Sequence, residues 1–155
     1  HKVIGTRMGF KHVIPHLAER FLVNEENPFL MYGHDQTRAF CDIRDAVEGT
    51  VLAVESDKSN GEIFHIGSDK EISIEELIKA SGDFFNFQGV YEKATTYPGS
   101  TNRRCPKISK ARDILGFSPK IKWEDSLKET LSWYKDFFEK GEKTFEKSFE
   151  KPENV

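Results

Sequence analysis

At 155 residues the chain suits one compact domain or a large piece of a bigger one. Its 37% hydrophobic and 32% charged content is polar for a folded domain, but 12% aromatic residues argue against disorder. A formal net charge of −3 excludes a global pull toward nucleic acid or an anionic membrane, and no apolar run approaches the ~20 residues that span a bilayer.

The chain opens at His1 straight into Val3-Ile4-Gly5, without the few polar residues that usually lead a natural terminus, so a fragment or processed chain is expected. Val3 to Gly5 reads as the end of a strand and Thr6-Arg7-Met8-Gly9 as the loop leaving it. Phe10, Val13, Ile14, Leu17, Phe21 and Leu22 recur at helical spacing, with the helix starting near Pro15 or kinked there. A turn at Asn24 to Pro28 leads into a short strand from Phe29 to Tyr32. Arg38 to Ile43 predicts another strand, followed by a helix capped by Arg44 or Asp45, with Val47, Val51 and Val54 on one face. Ile63-Phe64-His65-Ile66, bounded by glycines, predicts a strand. Ser73-Ile74-Glu75-Glu76 is a capping box opening a helix to about Phe85. A strand from Val90 to Lys93, a short helix from Ser109 to Leu115 and a last helix from Trp123 to Phe138 complete the order. After Lys140 the sequence reads as a charged, solvated tail, disordered over 141–155. This is an α/β chain without a regular repeat, and it has too few long strands to build a good sheet alone.

Two arginine motifs stand out. Gln36-Thr37-Arg38-Ala39-Phe40 enters a strand, and Pro98-Gly99-Ser100-Thr101-Asn102-Arg103-Arg104-Cys105-Pro106 is a loop leading into a helix. A guanidinium fork matches two phosphate oxygens and stays protonated at any working pH, so two converging forks suit a diphosphate. The plain alternatives are a surface Arg38 or an ion pair with Asp42 or Asp45, and for Arg103 and Arg104 a solvated basic loop. His12 and His16 have no recognisable third metal ligand, and His65 reads as a satisfied strand residue. Asp42, Asp45 and Glu48 do not read as a catalytic pair. No Gly-x-x-Gly-x-x-Gly or Gly-x-Gly-x-x-Gly loop exists, and no tyrosine has lysine four residues on. Cys41 and Cys105 lack a Cys-x-x-Cys spacing and predict free thiols in a reducing cytosol, hence a cytoplasmic protein.

Five segments in order resemble the C-terminal half of extended short-chain dehydrogenase/reductases acting on nucleotide sugars: NAD-dependent epimerases, 4,6-dehydratases and decarboxylases. Gly5-Thr6-Arg7-Met8 resembles the family's Gly-Pro-Arg-Met turn, and Pro28 to Gly33 its Pro-x-x-x-Tyr-Gly strand. Gln36 to Asp45 is similar to Gln-Thr-Arg-x-Phe-x-x-Val-x-Asp, and Gly61 to Gly67 to its Asn-Ile-Gly strand. Arg104 to Phe117 resembles Arg-x-Pro-Asp-x-x-Lys-Ala to Leu-Gly-Tyr. Lys2, Thr6, His65 and Lys107 depart from the usual Asn, Pro, Asn and Asp.

The resemblance implies a Rossmann-type α/β enzyme whose dinucleotide-binding half is absent, with residues 1–140 as the nucleotide-sugar binding region. It implies Arg38 and Arg104 on the diphosphate of an NDP-sugar, and Tyr32 with Leu30 against the base or ribose. Arg7 would stand on the sugar side, with the turn at Thr6-Arg7-Met8 and the helix from Val13, and Lys2 at the contact near the sugar phosphate, where a lysine could meet an anion. NAD would bind the missing half, through which a homodimer would also pair. No catalytic, cofactor or metal ligand is expected in the chain itself, and alone it should not be a working dehydrogenase. The rival reading is a non-catalytic module that binds an anion or a protein.

Overall fold

The computed structural model describes residues 2–141. In chain order these form β1 (Lys2–Ile4), α1 (Val13–Leu22), β2 (Phe29–Tyr32), β3 (Thr37–Asp42) and α2 (Ile43–Glu55). After a 3-10 turn at Asp57–Ser59 come β4 (Glu71–Ser73), α3 (Ile74–Phe84), β5 (Tyr91–Ala94), β6 (Arg103–Arg104), α4 (Ser109–Leu115) and α5 (Trp123–Glu139).

β3 organises the sheet. Five of its six residues are buried, as suits a strand with neighbours on both sides. It runs parallel to β1, with Lys2 opposite Phe40, and antiparallel to β4, with Thr37 opposite Ser73. It also pairs in parallel with β6, which sets Arg38 directly beside Arg104. β2 and β5 form a separate parallel pair.

Helical spacing of apolar residues then decides what packs. Ile14, Leu17, Ala18 and Phe21 of α1, Leu77 and Ile78 of α3, and Leu127, Leu131 and Tyr134 of α5 close one core with Ile4, Phe29, Met31 and Phe40 from the strands. Each fully buried large side chain contributes roughly 1.5–3 kcal/mol. A smaller core joins Ile108, Ala111, Leu115 and Phe117 to Leu52, Phe64 and Ile66. Gly49 of α2 lets it approach: a Cβ there would lie 2.6 Å from Ile66 and 2.8 Å from Phe117.

Most expected elements appear within a residue or two. Pro15 falls inside the first turn of α1, where backbone donors have no helical partner in any case, and no break results. Three expectations are corrected. The cap of α2 is Asp42, whose carboxylate accepts from the Arg44 backbone N–H, rather than Arg44 or Asp45. Residues 63–66 form no strand, because they pair with none among the described residues; Ile63 is 80% exposed. β4 and β6 were not expected, being too short for a periodic signal. The charged tail expected over 141–155 lies, past Gly141, outside the described residues.

Candidate functional site

Arg38 is 8% exposed, and none of its hydrogen bonds goes to a carboxylate. Its Nη1 donates to the carbonyls of Thr37 and Asn102, and its Nη2 to Oε1 of Gln36 at 2.8 Å. The Gln36 amide is in turn paired with the Ser100 hydroxyl. The acids considered as partners are engaged elsewhere. Asp42 is held by Arg44 and by the Ser126 hydroxyl, while Asp45 accepts from the backbone N–H groups of Lys120 and Ile121. Burial, and after it the neighbouring Arg104 charge, lowers the Arg38 pKa from its ordinary value, partly offset by Tyr97. A buried guanidinium without a counter-charge is costly, and a bound anion would relieve that cost.

Arg38 opens on a cleft of about 580 Å³ lined by Lys2, Val13, Tyr32, Gln36, Ile74 and the loop residues Thr95, Thr96, Tyr97 and Ser100. That loop is fastened to the start of β3 by the Thr37 N–H donating to the Asn102 carbonyl at 2.8 Å. Arg104 is exposed, donates to the Thr101 hydroxyl and lies outside this lining; the β3–β6 register pairs it with Arg38. Arg103 instead pairs with Glu71.

A second cleft, of about 350 Å³, shares Lys2 and Val13 with the first. It is lined further by Val3, Gly5, Thr6, Arg7, Met8, His12, Phe40 and Ile43. The structure therefore brings Lys2, Tyr32 and Arg38 to one cleft, with Arg104 beside it, and Arg7 with Lys2 to its neighbour. Leu30 lies outside both linings; its carbonyl accepts from Nη2 of Arg20, which also lies over the Phe29 ring. Sequence reasoning weighed His12 only as a metal ligand, gave Gln36 no positioning role and passed over Thr95, Thr96 and Tyr97, ahead of the loop it singled out from Pro98. The run of hydroxyl residues around Pro98-Gly99 was the available signal for the loop.

The residues present do not fit NAD. β1 to α1 is the turn where a strand meets a helix through a glycine-containing loop, and there the space a Cβ of Gly5 would need is taken by Ile43 at 2.9 Å. A dinucleotide cradle needs a run of glycines there, and this turn carries Gly5 and Gly9 without the Gly-x-Gly-x-x-Gly spacing. Among the described residues no group of His, Cys, Asp and Glu could hold a metal, and no helix is long and apolar enough to cross a membrane.

Residues 2–67 match the model of the NAD dependent epimerase/dehydratase family. The UDP-N-acetyl-alpha-D-glucosaminuronate decarboxylase of Bacillus cytotoxicus is 35% identical over 134 residues, 80% of this chain and 40% of that protein. Along most of its length the chain is similar to members of this family. A second relative, GDP-L-fucose synthase 1 of Arabidopsis thaliana, is 31% identical over 79% of this chain and 39% of its own length. The UDP-glucuronic acid 4-epimerase of Bacillus cereus, solved with UDP-glucuronic acid and NAD, superposes with a TM-score of 0.77. It is 26% identical, over 88% of this chain and 43% of that one. These family members are extended short-chain dehydrogenase/reductases with a Rossmann-like α/β fold, and this chain shares it. It spans about 40% of the length of the curated relatives it matches most extensively.

Proposed function

We propose that this chain is the C-terminal, substrate-gripping part of an NAD-dependent nucleotide-sugar epimerase, dehydratase or decarboxylase, with residues 1–140 as the binding region. Arg38 and Arg104 take the diphosphate of an NDP-sugar, Tyr32 flanks the nucleotide, and Lys2 and Arg7 face the sugar. Leu30 acts from behind, as part of the strand that carries Tyr32. The observation that carries this is the buried Arg38 fork, without a carboxylate partner, beside a second arginine in register.

Binding energy collected at the diphosphate, remote from the reacting carbon, would orient the sugar for chemistry done elsewhere. That chemistry, hydride transfer with NAD, belongs to a part of the protein outside this chain. The relatives' names, which mention UDP- and GDP-linked sugars, support the ligand class. The exposed apolar face of α2 supports a missing neighbour.

Calorimetric titration of the 155-residue chain with UDP and GDP tests the reading. Saturable binding is expected to one or both, weakened about tenfold or more in Arg104→Ala, as for a lost charged hydrogen bond. A folded chain with no affinity for either, or an unchanged Arg104→Ala, would overturn it and favour an interaction module.

A further inference from the structure

Gln36 stands between the buried arginine and the loop that borders the first cleft. It is 6% exposed, and its backbone is tied on both sides. The N–H donates to the Gly33 carbonyl at 2.9 Å, and the carbonyl accepts from the Ile74 N–H at 2.8 Å. Gly33 also presses on the side chain, since a Cβ there would lie 3.1 Å from Cδ and Oε1 of Gln36. The amide therefore projects from a rigid place. Its Oε1 accepts from Nη2 of Arg38 at 2.8 Å, and its Nε2 donates to the Ser100 hydroxyl at 2.9 Å, which donates back to Oε1 at 3.0 Å.

These contacts decide which donors Arg38 keeps. Both Nη1 donors are spent on the Thr37 and Asn102 carbonyls, and one Nη2 donor on Gln36. The Nε–H and the second Nη2–H have no acceptor among the described residues. Those two share one edge of the fork, the edge that meets two anion oxygens side-on. No buried side-chain N or O among the described residues lacks a partner, so this edge is open, and the space beside it is the first cleft. A neutral amide holds the fork without cancelling its charge, as a carboxylate would.

The same amide fastens the loop. Every hydrogen bond that ties residues 96–102 to another part of the described chain ends on Gln36, Thr37, Arg38 or Arg104. We propose that Gln36 is a positioning residue and its pairing with Ser100 a latch: the carboxamide aims the open edge of Arg38 into the cleft and straps loop 96–102 beside it. The inference rests on the diphosphate reading for what binds there. An anion at Arg38 and the fastened loop then stabilise one another, because each immobilises the same guanidinium.

Hydrogen exchange over 96–102, with and without UDP, tests this alongside calorimetric affinity in the 155-residue chain and in Ser100→Ala and Gln36→Glu. UDP should slow exchange of the loop in the parent. Ser100→Ala should remove that added protection and weaken UDP about threefold or more, as for one lost hydrogen bond. Gln36→Glu supplies the missing counter-charge, so affinity should fall about tenfold while the thermal midpoint holds or rises. A merely structural glutamine would not split the two. Affinity and midpoint falling together in Gln36→Glu overturn the positioning role, and bound UDP that leaves loop exchange unslowed overturns the latch. No UDP binding by the unmodified chain overturns the diphosphate reading and this inference with it. Should a variant fail to fold, the loop's response to UDP in the parent still decides.

Discussion

Asp42 shows how one side chain ties site to core. Burial alone would raise its pKa, but hydrogen bonds from Arg44 and Ser126 outweigh this and lower it from 3.8 to about 2. A folded pKa below the unfolded value means stability that is full above pH ~4 and is lost as pH falls through about 2, worth about 2 kcal/mol. Ser126→Ala should move the acid-unfolding midpoint, followed by circular dichroism, to higher pH; an unmoved midpoint would contradict this linkage. Tyr134 acts on the site from the core in a similar way. Tyr134→Phe removes the donor to the Met8 carbonyl, beside Arg7, and should cost about 1 kcal/mol of stability in chemical denaturation. An unchanged stability would show that water replaces the hydroxyl at the Met8 carbonyl without loss.

At the scale of elements, legibility tracked the strength of local signals. The capping box at Ser73 and Glu76, and the left-handed Gly116 ending α4, could be read directly because their chemistry is local. β6 could not. Two arginines in a loop carry no strand period, and only pairing with β3 makes them one, so the neighbourhood of Arg38 and Arg104 was expected from resemblance rather than geometry. Two of the groups around Arg38 were missed for the same reason, since Asn102 meets it, and Ser100 meets its neighbour Gln36, only through contacts 64 residues apart in sequence. The strand expected at 63–66 failed in the other direction: its apolar pattern is real, but a strand needs a neighbour. α2 packs by a close approach that a single methyl would obstruct. Gly49→Ala should destabilise the chain by about 1–3 kcal/mol in chemical denaturation through overpacking against Phe117 and Ile66. A stability within a few tenths of a kcal/mol of the parent would mean that the two segments are free to separate.

At the scale of the whole molecule, an exposed apolar surface starts at Ile43, in the lining of the second cleft, and runs along α2. Ile43, Val47, Val51 and Val54, spaced along one face of α2, stay largely exposed, and Ile63 adds to the apolar exposure. A helix normally turns such a stripe inward, so an exposed stripe of this kind favours association. Light scattering of the isolated chain should show self-association that Val47→Lys with Val51→Lys suppresses; a strictly monomeric parent would contradict this. The cationic side is what the functional reading depends on. A double-mutant cycle on nucleoside diphosphate affinity, with Arg38→Met and Arg104→Ala singly and together, tests it most directly. Two forks gripping one pyrophosphate should give non-additive losses with a coupling of about 1 kcal/mol or more, each single variant remaining folded. Strictly additive losses, or affinity that ignores both substitutions, would contradict a shared pyrophosphate.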